Sequence, residues 1–322
     1  MIAIVLIAMA AGCASALMFA SIVSGVPISL LLFYLAPLPL MMAALGWGPL
    51  SASIGGIAAA TGLGAIFGLP YCIAFVLAVA LPAWWLGHLA LLGRPVTQGA
   101  PAANGAAPPD LEWYPVGRLL LWIVGLAAMT TMATLLTLGT DAATITGTLR
   151  QGLLSILGPH DPAATGEIDQ LLDALVTIAP AAATLVAVTT LTLNLWLAAT
   201  VTAKSGRLHR PWPELKSTAL PPMTLAALSV AIAFCFIGGL LAILAQIVAT
   251  GLMMAYALTG FAVLHTLTLA LKSRALWLGC TYVIVTMFVW PILAIAALGL
   301  ADAIFGIRQR YLRAKPPPLP AA

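Results

Sequence analysis

Apolar residues occupy this chain in long blocks whose breaks are made by glycine and proline rather than by polar stretches. A helix needs about 20 mostly apolar residues to cross a bilayer, and the blocks have that length. The first covers residues 1–23 and stops at Gly25-Val26-Pro27. The second covers 27–45 and carries Pro37 and Pro39 in its middle. The third opens at Gly48-Pro49 and ends near Gly68, with Gly55, Gly56, Gly62 and Gly64 offering a small-residue face for close helix contact. The fourth covers 71–92, and Trp84, Trp85 and His88 near its end fit an interfacial aromatic belt. Residues 1–93 contain no Asp, Glu, Lys or Arg.

Within this half, residues 36–49 stand out. Pro37, Pro39, Pro49, Gly46 and Gly48 interrupt an apolar run with Trp47 near its end. Broken backbone leaves peptide groups that lipid cannot satisfy, so it is tolerated only against protein or along a cavity. The stretch is expected to be shielded by neighbouring protein.

The character changes at 93–116, where Arg94 precedes a Pro-, Gly- and Ala-rich segment ending in Pro108-Pro109-Asp110. This reads as a flexible linker between an N-terminal four-helix half, 1–92, and a C-terminal half, 117–306. A fifth span follows over 116–138. Residues 144–175 predict two amphipathic helices outside the membrane. Ile145, Leu149, Leu153 and Ile156 form one apolar stripe, stopped by Gly158-Pro159. Ile168, Leu171, Leu172 and Leu175 form the other, with Asp161 as its cap, Pro162 in its first turn and Asp169 and Asp173 on its polar face. They serve as a cover for helix ends or as a substrate lid.

A sixth span covers 178–203. The loop 204–222, with Lys204, Arg207, Arg210 and Lys216 against Glu214, carries the positive charge of a cytoplasmic side. Residues 223–271 leave room for two spans broken near Gly238-Gly239, and 275–300 for a last one interrupted by Pro291. A basic, Pro-rich tail covers 307–322. The fold class is therefore all-α, a polytopic transmembrane helical bundle of about 8–9 membrane segments. An inside N-terminus places the basic loops inside and the acidic segment outside. It then puts the basic tail outside, unless a C-terminal segment is re-entrant or one short loop is assigned wrongly.

Composition agrees with a membrane environment: 62% of the 322 residues are hydrophobic, 7% are charged and mean hydropathy is +1.10. Soluble domains carry roughly 25% charged residues. The net charge of +4 lies in loops and tail without interleaved stacking aromatics, which argues against nucleic acid as a partner. Cys13, Cys72, Cys235 and Cys280 lie in apolar runs with no ligand spacing, so no metal and no cofactor is expected. Ala10-Ala11-Gly12-Cys13 lacks the positively charged region of a cleaved signal, so the first helix is expected to be retained.

The spans carry no Asp, Glu, Lys or Arg at mid-depth. That argues against proton-coupled pumping and carboxylate catalysis, and no enzyme is expected. The chain has no Gly-x-x-x-x-Gly-Lys phosphate loop, so nucleotide-powered transport would need a partner subunit. Neutral polar residues remain. Asn194, His265, Gln246, Tyr34 and Trp47 are the candidate ligand contacts, and interhelical hydrogen bonding is the alternative for the polar groups among them. Asp302 near a helix end is expected to pair with Arg308 or Arg310 and fix the tail at the interface.

Three stretches together resemble a known family: Pro37-Leu38-Pro39-Leu40 with Gly46-Trp47-Gly48; Gly260-Phe261-Ala262-Val263-Leu264-His265; and Leu298-Gly299-Leu300-Ala301-Asp302 followed by Arg308 and Arg310. Their order is similar to that of the YybS-like family, bacterial multispanning membrane proteins with a domain of unknown function. That family is distantly similar to the substrate-binding S components of energy-coupling-factor transporters. The resemblance implies a bacterial inner-membrane location, a small-molecule pocket among the N-terminal helices and recruitment of an ATPase partner. Two function classes stay open: a solute-binding or transport subunit, and a non-catalytic scaffold for other envelope proteins.

Overall fold

The computed structural model describes residues 2–95, 111–157, 165–213, 218–288 and 290–313, and within them almost every long apolar block is helical. In chain order the helices are α1 (Ile2–Ala20), α2 (Pro27–Leu35), α3 (Pro37–Trp47), α4 (Pro49–Phe67), α5 (Leu69–Phe75) and α6 (Leu81–Ala90). They continue with α7 (Val116–Leu138), α8 (Ala142–Leu157), α9 (Thr165–Lys204), α10 (Met223–Phe234), α11 (Gly239–Leu267), α12 (Arg274–Met287), α13 (Pro291–Phe305) and α14 (Ile307–Arg313). The protein is an all-α, polytopic membrane protein. Seven helical segments are long and apolar enough to span among the described residues, or eight if the bent pair α13–α14 counts as one. The expected count of eight to nine took 223–271 as two spans and 275–300 as one. α10 and α12 fall short, because Gly238 and Gly239 turn the chain at positive φ after α10, and Pro291 opens a new helix after α12.

Contacts divide the chain into two compact units, Met1–Thr130 with Val186–Trp212, and Thr131–Leu185 with Pro213–Ala322. The division does not fall at 93–116, where composition changes, since the first unit runs through that stretch and takes in the end of α9. Two short strands, β1 (Gly93–Pro95) and β2 (Leu111–Trp113), pair antiparallel there, with Arg94 opposite Glu112 and their side chains bridged at 2.7 Å. Both groups are exposed, so the bridge adds at most about 1 kcal/mol. The interior of the expected linker, including Pro108 to Asp110, lies outside the described residues.

In the first unit the helices approach to backbone contact through glycine. A Cβ on Gly12 of α1 would run into the Gly55 carbonyl of α4, and one on Gly55 into the Ala8 carbonyl. Leu40, fully buried, fills the space beside Gly55 and Gly56. Without a hydrophobic drive between helices in lipid, such close approach is what holds them together. The span Leu69–Ala90 shows how proline is accommodated. Pro82 has no N–H, and the helix widens to a π segment over Val76–Ala80 in which the Leu81 N–H bonds the Val76 carbonyl, five residues back. The Leu77 carbonyl then has no helical donor, and the Thr130 hydroxyl of α7, shared with its own Leu126 carbonyl, reaches it at 3.2 Å.

In the second unit, Gly260 of α11 lies against the Ile295 carbonyl of α13, and Gly299 of α13 against the Tyr256 carbonyl. Two of the stretches that carry the family resemblance therefore meet face to face. The expected second amphipathic helix and sixth span are one element, the 40-residue α9, with Pro180 inside it. No glycine or cap separates 175 from 178, and the buried face of the helix runs unbroken through Leu172, Val176, Pro180 and Thr184. Leu171, expected in the apolar stripe, is exposed and lies outside that face. The expected cap Asp161 and Pro162 lie outside the described residues. Arg150 of α8 binds Asp173 and, at 2.6 Å, Asp169, so the acidic residues lace α8 to α9.

α8 begins at a carboxylate cap. Asp141 accepts the Thr144 N–H at 2.9 Å and the Thr144 hydroxyl at 2.6 Å. These bonds, the hydroxyl first, hold the Asp141 carboxyl below its usual range. A lowered folded value means the cap is fully effective above the ordinary carboxylate pKa and is lost as pH falls through the folded one. Protection of the Thr144 amide from hydrogen exchange should therefore drop on acidification, and Asp141→Asn should flatten that dependence. A pH profile identical in wild type and variant would refute the cap.

The glycine contacts make a second prediction. Gly55→Ala should destabilise the protein in detergent by about 1–3 kcal/mol, the usual penalty of overpacking. Gly62→Ala on the same helix, with open space around it, should leave the melting temperature unchanged or higher. Equal melting of the two variants by tryptophan fluorescence would contradict the packing.

Candidate functional site

The candidate ligand residues fall in different places. Asn194 is buried in α9, and its Nδ2 donates at 2.8 Å to the Tyr34 carbonyl in the last turn of α2 and to the Thr190 carbonyl. It serves the backbone just ahead of Pro37, where helix register is lost. Gln246 does the same in the second unit, donating at 3.3 Å to the Thr177 carbonyl in the turn before Pro180. The Tyr34 ring is partly exposed, packed edge-on to Phe33. Trp47 lies under Arg207, whose guanidinium carbon is 5.1 Å from the ring centroid, a cation–π contact. His265 Nε2 is 2.8 Å from the Tyr282 hydroxyl, and Arg274 approaches its ring and carbonyl at 3.5 Å.

Residues 36–46 are solid with protein: Ala36, Leu40, Met41, Ala43, Ala44 and Leu45 are buried together with Pro37 and Gly46. Gly46 packs against Thr202 and Arg207 at ordinary contact distance. Gly48, at φ 93°, joins α3 to α4 in a conformation other residues rarely adopt. Pro37 and Pro49 each sit in the first turn of a helix, where a missing N–H is harmless. The interruption is thus shielded by protein.

An open cavity of about 670 Å³ lies in the second unit, lined among others by Tyr256, Thr259, Gly299, Asp302, Arg308 and Arg310. Its floor is the α11–α13 crossing, where the missing side chains of Gly260 and Gly299 let the backbones touch. Its wall is a buried ion pair. Asp302 Oδ2 accepts from Arg308 Nε and Nη2, both at 2.8 Å, and Oδ1 accepts the Arg308 backbone N–H at 2.8 Å. Both side chains are more than nine-tenths buried. The geometry follows from the turn between the helices: Gly306, at φ 62°, ends α13 in the left-handed region, and α14 departs at 67°. That bend swings Arg308 back over the carboxylate. The Tyr311 hydroxyl donates to the Leu267 carbonyl at the end of α11, which pins α14 from its other side. Of the two partners open to Asp302, the structure selects Arg308, and Arg310 is exposed. The tail beyond residue 313 lies outside the described residues.

A smaller cavity, about 370 Å³, sits at the β1–β2 hairpin and is lined by Arg94, Glu112, Trp113 and Arg118, among others. Beside the hairpin, Arg210 donates to the Ala90 and Tyr114 carbonyls, closing the end of α6, and its half-burial lowers its pKa. Sequence reasoning did not single out Thr259, weighed Tyr256 only as one of several scattered tyrosines, and read Arg210 only as loop charge, because their partners are set by helices distant in the chain. Among the described residues no cluster of three His, Cys, Asp or Glu side chains could hold a metal.

Removing one partner of a buried ion pair leaves an uncompensated charge and costs about 3–5 kcal/mol. Asp302→Ala should lower thermal stability by that order, whereas Asp302→Ala with Arg308→Met should recover most of it. A single variant as stable as wild type would mean that the pair does not hold the α13–α14 turn.

The chain matches no protein-family model, no curated protein and no solved structure.

Proposed function

We propose that this integral membrane protein is a small-solute-binding subunit of transport type, without an ATPase of its own, seated in a bacterial inner membrane. The observation that carries the reading is the cavity beside Tyr256, Thr259 and Asp302. Its volume, about 670 Å³, lies within the roughly 300–1,000 Å³ of small-molecule sites. Its lining is more polar than that of most small-molecule sites, with Tyr256, Thr259, Gln309 and a set of charged groups beside Ile304, Phe305 and Leu312, which suits a polar solute. The resemblance to a family distantly similar to S components points the same way, although it implies a pocket among the N-terminal helices, where residues 36–46 are largely buried against protein. Lacking a phosphate loop, the chain would borrow nucleotide hydrolysis from a partner subunit.

The scaffold reading has one observation in its favour. The first unit is closed by glycine-to-backbone contacts, which suit a rigid framework better than a binding chamber. The two readings separate in one experiment. Full-length protein isolated from its native membrane and weighed by native mass spectrometry should carry a small-molecule adduct or an ATPase subunit. Ala303→Trp, an exposed position on the cavity wall, should reduce the adduct at least about tenfold while leaving the protein folded. Wild-type protein with no adduct, isolated with partners that bear no nucleotide-binding motif, would favour the scaffold instead.

A further inference from the structure

We propose that the cavity of the second unit takes a phosphate-type anionic group, held by Arg310 and Arg313. This rests on the solute-binding reading and names the chemical class. Among the described residues the charged side chains lining the cavity are Asp302, Arg308, Arg310 and Arg313. Asp302 is consumed by Arg308 through both carboxylate oxygens, in a pair withdrawn from solvent. Arg310 and Arg313 remain, both exposed, and neither forms an ion pair among the described residues.

The helix that carries them is anchored. Arg310 and Arg313 are three residues apart on α14, which sets them on one face. The helix itself is clamped at Arg308 by Asp302 and at Tyr311 by the Leu267 carbonyl. Two forks presented from one anchored helix suit a group with several equivalent oxygens, because each guanidinium matches phosphate with two parallel N–H donors. Gln309, also on the cavity wall, adds a neutral donor. The clamp also explains why a buried charge pair is kept at this turn. It neutralises the carboxylate of the cavity wall, so that this group does not repel an incoming anion.

The same chemistry has two sources, a lipid headgroup or a free phosphate. Ile304, Phe305 and Leu312 are exposed beside the arginines, so acyl chains could lie against them while a headgroup enters. The experiment uses full-length protein in nanodiscs. One arm titrates inorganic phosphate in pure phosphatidylcholine by thermal shift. The other compares retention of phosphatidic acid and phosphatidylcholine from mixed discs by native mass spectrometry. Wild type is set against Arg310→Gln/Arg313→Gln, with Arg94→Gln/Arg118→Gln removing equal charge from exposed sites elsewhere.

The expected result is binding weakened about tenfold or more by the first pair and unchanged within about twofold by the second, the loss of charge-assisted hydrogen bonds setting the scale. Dependence on Arg310 and Arg313 in the phosphate arm identifies a free anion, and dependence in the lipid arm alone a headgroup. Either supports the proposal. If neither arm responds to these arginines, or both double variants weaken binding equally, the proposal is overturned. In that event, an adduct still displaced by Ala303→Trp leaves the solute-binding reading standing, and its absence removes both.

Discussion

A carbonyl that loses its helical donor at membrane depth has no water to turn to, and this constraint organises the helices around their prolines. Pro82 deprives Leu77 of a donor, and a threonine from α7 supplies one. Ahead of Pro37 the Tyr34 carbonyl is met by Asn194 from α9, and ahead of Pro180 the Thr177 carbonyl is met by Gln246 from α11. In each case a neutral polar side chain, far away in sequence, sits beside a disturbed turn. Thr130, Asn194 and Gln246 thus sit where neighbouring helices break.

Proline and glycine divide the work. Proline opens helices α2, α3, α4 and α13, where its missing N–H is not needed. Glycine lets helix backbones meet, at Gly12 with Gly55 in one unit and at Gly260 with Gly299 in the other. The second crossing leaves a cavity above it, closed on one side by the turn at Gly306. There the Asp302–Arg308 pair contributes specificity of shape more than net stability, since its attraction largely offsets the desolvation of both charges. The consequence is chemical. A helix carrying further arginines is held at a fixed angle over polar space.

Much of the fold could be read from the residues. The block boundaries at Gly25, Gly48, Gly68 and Gly238 are helix boundaries, each at positive φ, because only glycine makes that turn without strain. That Asp302 pairs with an arginine of the next turns was legible, but the choice of Arg308 over Arg310 was not, because it depends on the bend at Gly306. The continuity of α9 was not, since the charged-to-apolar transition near residue 175 looks like an end when only composition is considered. Nor was the pairing of β1 with β2, whose strands are three residues long and carry no alternating pattern. The cavity was hidden for a different reason. Tyr256, Thr259 and Gly299 lie on two helices far apart in the chain and become a site only where those helices cross.

From the residues alone it follows that this protein crosses a membrane as helices, that glycine ends several of them, and that the proline-interrupted stretch needs shelter. Hydropathy and backbone preference act within about twenty residues, so they can be read from such a window. Tertiary structure alone decided which distant side chain shelters each break and that the end of α9 belongs with the first helices. It also decided that polar space opens beside Asp302 rather than beside residues 36–49. Those outcomes depend on how closely whole helices approach, which is set by the small residues of both partners at once.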